Sequence, residues 1–265
     1  MTASTVSLAR ADSDKLYRAP FHILHTLSDN PLFQLDRLVE LAQSMPADRI
    51  EYNSGAVPPG VRPEDVPGLE MSVDDVIRQI ETAHAWLVIK NVESDPAYAA
   101  LLARFVGDLS ASSGLPRDGF SDLQGFIFVS SARSTTPFHI DMEENVLVQI
   151  CGEKFVHLFD NADGSLVPEE AREISPSKHR NQAYDASFEQ RATVFTLNEG
   201  DGVHIPYTHP HWVRTGEHYT ISMAMTWKTP EVLRLNKIRF MNGTLRRFGL
   251  AQSGPGAHPA ADAVK

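Results

Sequence analysis

The segment Thr136-Pro137-Phe138-His139-Ile140-Asp141 sets a histidine and an aspartate two residues apart in a stretch of strand character. Period two places both side chains on one face of a strand or strand end. An imidazole nitrogen and a carboxylate oxygen on a common face are two thirds of the triad that holds non-haem Fe(II) and leaves positions open for other ligands. By itself His-x-Asp is a common pair, so it gains meaning only with a third donor. About 70 residues further on, the run GDGVHIPYTHPHWVR supplies His204, His209 and His211, with His218 just beyond. A barrel brings distant strand ends to one mouth, so the separation is no obstacle. Alternation puts His209 and His211 on the same face, and spacing alone leaves the choice between them open.

Positioning these residues requires a β structure framed by helices. From Gln124 onward, short β-prone runs follow closely: GFIFVSS, NVLVQI, KFVHLF, ATVFTL, GVHIP, HWVRT and YTISMAMTW. Turn signals at Cys151-Gly152-Glu153, Asn161 to Gly164 and Glu199 to Gly202 separate them, which predicts a sandwich or barrel. Upstream, Ser28-Asp29-Asn30-Pro31, Ser72-Val73-Asp74-Asp75 and Ser94-Asp95-Pro96 each open a stretch of helical spacing, and Trp86 to Lys90 reads as a strand. The Pro- and Gly-rich stretch SGAVPPGVRPEDVPG is a loop. Thr229-Pro230-Glu231 starts a last helix, with a break expected near Asn242-Gly243. The predicted organisation is an N-terminal helical extension with first strands packed on the barrel (1–120), a β core (121–228), a C-terminal helical segment (229–252) and a disordered tail (253–265).

Composition narrows the function classes. The chain has 265 residues, 42% hydrophobic and 22% charged, which suits one large domain with a real core. Lys plus Arg number 24 against 34 Asp plus Glu, a net charge of −10, which argues against tracking nucleic-acid phosphates or anionic lipid. The single Cys151 excludes an internal disulfide framework and a Cys-rich zinc site. No apolar leader core and no run of about 18 apolar residues is present, so the expectation is a cytoplasmic protein without a membrane span.

Taken together, the runs Thr136 to Asn145 (TPFHIDMEEN) and Gln149 to Lys154 (QICGEK), then Ile205-Pro206 and His211-Trp212-Val213, resemble the JmjC group. More narrowly they are similar to its cupin-like branch around the asparaginyl hydroxylase of hypoxia-inducible factor. The resemblance covers about Gln124 to Trp227. It implies a mainly β fold with flanking α: a double-stranded β-helix (jelly-roll) core with N-terminal helices and a C-terminal helix. It also implies an Fe(II)- and 2-oxoglutarate-dependent dioxygenase that hydroxylates a peptide or protein side chain or a small metabolite.

Carried over residue by residue, His139 and Asp141 match the first two iron ligands. His211 matches the third, because the family's distal histidine follows Ile-Pro by five positions and precedes an aromatic residue. The resemblance implies that Lys154 binds the far carboxylate of 2-oxoglutarate, that the Thr136 hydroxyl supports it and that Asn145 lines the pocket. The family's tyrosine partner has no clear match, with Tyr52 and Tyr207 as candidates. Many related oxygenases use an arginine about ten residues past the distal histidine, but the stretch EHYTISMAM has none, which favours the lysine-type pocket. Asp141 is intact, unlike in the halogenating variants. Glu143 and Glu144 read as a possible amine site or as solvated acids, and Arg214 as a pocket or a surface residue. Related enzymes dimerise through C-terminal helices, so the last helix reads either as the interface of a homodimer or as a helix packed on its own barrel. Two other classes share the pattern: a cupin metalloenzyme that does not use 2-oxoglutarate, and a non-catalytic binding or sensor barrel.

Overall fold

A computed structural model describes residues 5–7, 14–114, 119–174 and 181–265. Parts of the predicted N-terminal extension at 1–4, 8–13 and 115–118 lie outside the described residues. The chain begins with strands β1 (Val6–Ser7) and β2 (Phe21–His25), then helix α1 (Leu35–Ser44), strand β3 (Ile50–Ser54), helix α2 (Val73–Arg78), strand β4 (Ala85–Lys90) and helix α3 (Pro96–Ser113). Among the cap candidates, Ser72 caps α2, Asp95 caps α3 and Asn30 caps a short 3-10 turn (Pro31–Phe33) that precedes α1, each side-chain oxygen accepting a backbone N–H of the first turn.

The second half supplies β5 (Ser121–Ser130), β6 (Thr135–His139), β7 (Glu144–Cys151), β8 (Lys154–Leu158), helix α4 (Glu169–Ile174), β9 (Thr193–Leu197), β10 (Asp201–Ile205), β11 (His211–Thr215) and β12 (Thr220–Lys228). Two helices follow, α5 (Pro230–Arg247) and α6 (Pro259–Asp262). The strands form an eight-stranded sheet, β1-β2-β10-β7-β12-β5-β4-β3, and a four-stranded sheet, β6-β11-β8-β9. Neighbours are antiparallel. This is the jelly-roll arrangement: two facing sheets with helices on the outside of the larger one.

The central strands do not alternate because both faces are covered. On β7, Leu147 packs inward with Val156, Val203, Val213 and Ala224 between the sheets. Val146, Val148 and Ile150 pack outward in the larger core shared with α1, α2 and α3. The β7–β8 turn uses Gly152 in the left-handed region (φ 73°), where a side chain would collide with the Tyr219 carbonyl.

Two expectations for the C-terminus change. Helix α5 runs unbroken through Asn242 and Gly243. A side chain at Gly243 would meet the Glu173 backbone oxygen, so the glycine serves the close approach of α5 to α4 rather than a break. The tail read as disordered instead folds back on α5. Asp262 is buried and accepts the Gly256 N–H at 2.7 Å, Lys265 reaches Asn242 Oδ1, and Asn242 donates to the Ser253 carbonyl. Small and polar residues suggest a tail without a packed place, but their hydrogen bonds find partners on the helix. Among the described residues no helix is long and apolar enough to cross a membrane.

Candidate metal centre and adjoining cavity

His139 ends β6 and His211 begins β11, and the two residues stand directly opposite each other in the β6–β11 ladder. Their rings lie 4.1 Å apart between centroids. A register irregularity follows immediately, between His211 and Val213, as is common where a strand is bent to aim a side chain. His139 Nδ1 is 2.7 Å from the Pro137 carbonyl and His211 Nδ1 is 3.0 Å from that of His209. A carbonyl only accepts, so each Nδ1 carries the proton and each Nε2 turns its lone pair inward.

The Asp141 carboxylate sits across from both rings, 3.7 Å from His139 Nε2 and 3.7 Å from His211 Nε2. All three donor atoms lie within 4.8 Å of one another. Each 3.7 Å gap is within what two metal–ligand bonds of about 2.1 Å can bridge. Burial and the neighbouring His211 push the His139 imidazole down to about 4, so it is neutral, as a metal ligand must be. Two imidazoles and one carboxylate suit a first-row divalent ion such as Fe(II).

The other histidines separate cleanly. His209 is buried, but among the described residues it is outside the metal-type cluster. His218 is exposed. His204 is fully buried on the opposite face of the large sheet, its Nδ1 bonded to the Asn145 carbonyl and its Nε2 accepting the Tyr17 N–H. Beside it lies Glu144, 3% exposed, which accepts the Tyr207 N–H at 3.2 Å and is pushed up by burial to about 7. An ordinary glutamate loses its proton near 4.5, so between 4.5 and 7 the folded state binds more protons and stability falls as pH rises. Glu144→Gln removes a cost of up to roughly 3 kcal/mol above pH 7. The thermal midpoint of this variant is expected to gain several degrees more at pH 8 than at pH 4.5; equal gains would contradict the burial argument.

A cavity of about 330 Å³ opens beside the three donors. At its inner end Lys154 is 3% exposed, donates to Ser222 Oγ at 2.6 Å and lies 5.5 Å from the Phe128 ring centre. Among the described residues no carboxylate lies within ion-pair distance, and burial pushes the ammonium down to about 7. Thr136 lines the same space, its hydroxyl accepting the Trp86 indole N–H at 2.9 Å. A buried cation with hydroxyl neighbours and no acid is built to receive an anionic oxygen. Asn145 also lines the cavity, and its amide nitrogen donates to Asp141 Oδ2 at 2.8 Å. The structure therefore brings His139, Asp141, His211, Lys154, Thr136 and Asn145 to one cavity.

Other expectations shift. Tyr52 bonds the Met71 carbonyl and Tyr207 bonds Asn236 and Arg239, and neither is among the cavity's lining residues. Arg214 points to solvent, because the pleat turns it outward between Val213 and Thr215. Glu143 lines the cavity, where burial and Asp141 raise its carboxyl to about 7 against the pull of Lys228. Trp86, Ser222 and Thr226 were not found from sequence. The alternation of Trp86, Val88 and Lys90 shows that they share a face, but not that the face meets the barrel interior.

The segments that carry the donors are fastened from outside. Thr208 stands in the left-handed region (φ 59°), costly for a β-branched residue, and its N–H bonds the Asp141 carbonyl at 3.0 Å. The Tyr207 hydroxyl meets Arg239 Nη1 and Asn236 Oδ1, each at 2.7 Å, and Asn236 Nδ2 reaches the Met142 carbonyl at 2.9 Å. Trp212, next to His211, stacks on His157 and donates to Glu189.

The cupin-like domain family model matches residues 33–231, three quarters of the chain and both donor segments. The chain belongs to the cupin-like family. Its fold is similar to that of YcfD from Escherichia coli, with 17% identity and a TM-score of 0.57. Two further YcfD structures are similar at 20% and 19% identity, with TM-scores of 0.52 and 0.51. They are of a ribosomal oxygenase in complex with cobalt and 2-oxoglutarate, and with cobalt and succinic acid. Each comparison covers 96% of this chain but 63% of YcfD, so this cupin-like chain spans under two thirds of that protein's length. No curated protein matches the sequence.

Proposed function

We propose that this cupin-like protein is an Fe(II)- and 2-oxoglutarate-dependent oxygenase that hydroxylates a C–H bond of a peptidyl side chain or small metabolite. The observation that carries the reading is the pairing, in one cavity, of a His-Asp-His donor set with a buried lysine that has no acidic partner among the described residues. Either half alone would suit many proteins. A metal site beside an isolated cationic recess suits a cosubstrate that chelates a metal at one end and carries a carboxylate at the other.

In this reading His139, Asp141 and His211 hold the ion. Lys154 takes the far carboxylate of 2-oxoglutarate, with the Thr136 hydroxyl, already accepting from Trp86, free to donate its proton to the same group. Asn145 acts chiefly on Asp141, fixing the carboxylate's orientation from β7 in the larger sheet. The apolar walls Phe126, Phe128, Leu147 and Val213 keep water from the recess. Bound there, Fe(II) with 2-oxoglutarate supplies the activation of dioxygen that hydroxylates a C–H bond, with succinate and carbon dioxide as coproducts. The cobalt, 2-oxoglutarate and succinate of the YcfD structures support the same pair of cofactors.

The test is an anaerobic titration of metal-free protein with Fe(II) and then 2-oxoglutarate. The expected result is the weak visible charge-transfer band of the chelate. Iron binding with no band on adding 2-oxoglutarate would favour a cupin metalloenzyme of another kind, and no iron binding would leave a binding barrel.

A further inference from the structure

The two ends of the cavity differ in the hydrogen-bonding roles they leave open. At the inner end an ammonium donates to Ser222 and an indole donates to Thr136. Both partners can only donate, so each hydroxyl is held as an acceptor and turns its own proton elsewhere. That end offers donors.

The opposite end offers acceptors. Asp141 can only accept, so the Asn145 amide must present its nitrogen there, which fixes the side chain and turns Oδ1 away. Asn145 is 7% exposed and Thr226 is 6% exposed. Asn145 Oδ1 and Thr226 Oγ1 are both buried and, among the described residues, have no partner. Both residues line the cavity and face each other directly across the β7–β12 ladder, so their Cβ atoms lie about 5 Å apart. Glu143 lines the same end, with the Lys228 ammonium 3.8 Å away, beyond hydrogen-bond range. The cavity's other rim acid, Glu51, is already bonded to Lys90 at 2.6 Å. A buried amide oxygen and hydroxyl beside a loosely paired carboxylate are left for a ligand that brings several N–H groups and a positive charge. Val88, Phe126 and Ile205 supply apolar wall for the methylenes that carry it.

We propose that Glu143, Asn145 and Thr226 form the primary-substrate subsite and recognise an arm that ends in an alkylammonium or guanidinium group. The N–H donors meet Asn145 Oδ1, Thr226 Oγ1 and the Glu143 carboxylate, placing the arm's methylenes beside the metal donors. The assignment of this subsite to the oxidised molecule rests on the oxygenase reading; its preference for a cation does not.

The test uses the full chain loaded with cobalt(II) under nitrogen, with and without 2-oxoglutarate. The probes are n-butylammonium, n-butylguanidinium, 1-butanol and pentanoate, followed by cobalt-induced relaxation of their methylene protons. The cations are expected to bind at least about tenfold more tightly than butanol or pentanoate, as a charged hydrogen bond allows. Thr226→Val and Glu143→Gln should each remove most of that preference, and Thr226→Val should leave 2-oxoglutarate affinity unchanged. Equal relaxation by all four probes, none by the cations at millimolar concentration, or a preference that survives both substitutions would overturn the proposal. Failure of 2-oxoglutarate to bind the cobalt protein would instead overturn the oxygenase reading, since the cation preference is also measured without it.

Discussion

His211→Ala is expected to abolish Fe(II) binding at concentrations that saturate the native protein, while His209→Ala leaves it within a few-fold. The two residues are two apart, both buried, and indistinguishable by alternation. They differ in what their rings meet. The His211 tautomer is set by the His209 carbonyl, and its Nε2 faces Asp141 at 3.7 Å, opposite His139. His209 is buried with its Nδ1 unpartnered among the described residues, near Asp160 and Arg172. Loss of a residue that merely orients a ligand costs metal affinity about 10- to 100-fold, so loss of a donor itself should exceed that range. Succinate release coupled to 2-oxoglutarate consumption should disappear with it. A variant that lacks His211 yet binds Fe(II) like the native protein would transfer the third position elsewhere and undo the proposed centre.

Lys154→Met is expected to move stability and cosubstrate binding in opposite directions. An ordinary lysine keeps its proton to 10.5, whereas Lys154 gives its proton up near 7 because burial disfavours the charge. Between those values the unfolded chain binds more protons, so the native protein gains stability as pH rises from 7 to 10.5. Below 7 the full cost remains, on the order of 3–5 kcal/mol. Methionine fills similar volume without the charge, so the ligand-free variant should melt higher than the native protein, by more at pH 6.5 than at pH 10. In exchange, 2-oxoglutarate affinity should fall by about 10²-fold or more, the range for removing one partner of a buried charged pair. The native protein should also bind 2-oxoglutarate with proton uptake above pH 7, and progressively more weakly toward pH 9. Calorimetry in two buffers of different ionisation enthalpy measures that uptake. A variant that is destabilised at pH 6.5, or that binds 2-oxoglutarate normally, contradicts this account of the lysine.

What could be read in the sequence was what is local. Thr229-Pro230, Ser72 and Asp95 announce helix starts because a cap is decided within one turn. The runs NVLVQI and KFVHLF announce β7 and β8 because Gly152 interrupts them with a turn only glycine adopts easily. The His139–Asp141 pair is also local, lying within three residues at the end of one strand. What escaped was set by sheet order. Ser222 meets Lys154, and Thr226 meets Asn145, only because β12 is inserted between β5 and β7 and faces β8 across the interior. Trp86 reaches Thr136 only because β4 extends the same sheet past β5. Strand β2 also went unread: FHILH alternates well, but it is too short to stand out without its partner β10.

The bracing by α5 bears on how the protein could be trimmed or recombined. The family match ends at residue 231, whereas Asn236 and Arg239, which tie Met142 and Tyr207 to the helix, lie beyond it. A segment cut at that boundary would retain every proposed metal donor but lose the struts that hold their two loops in register. The smallest piece that resembles its relatives is thus shorter than the smallest piece that should work. Grafting this barrel into another protein would need its last long helix to travel with it.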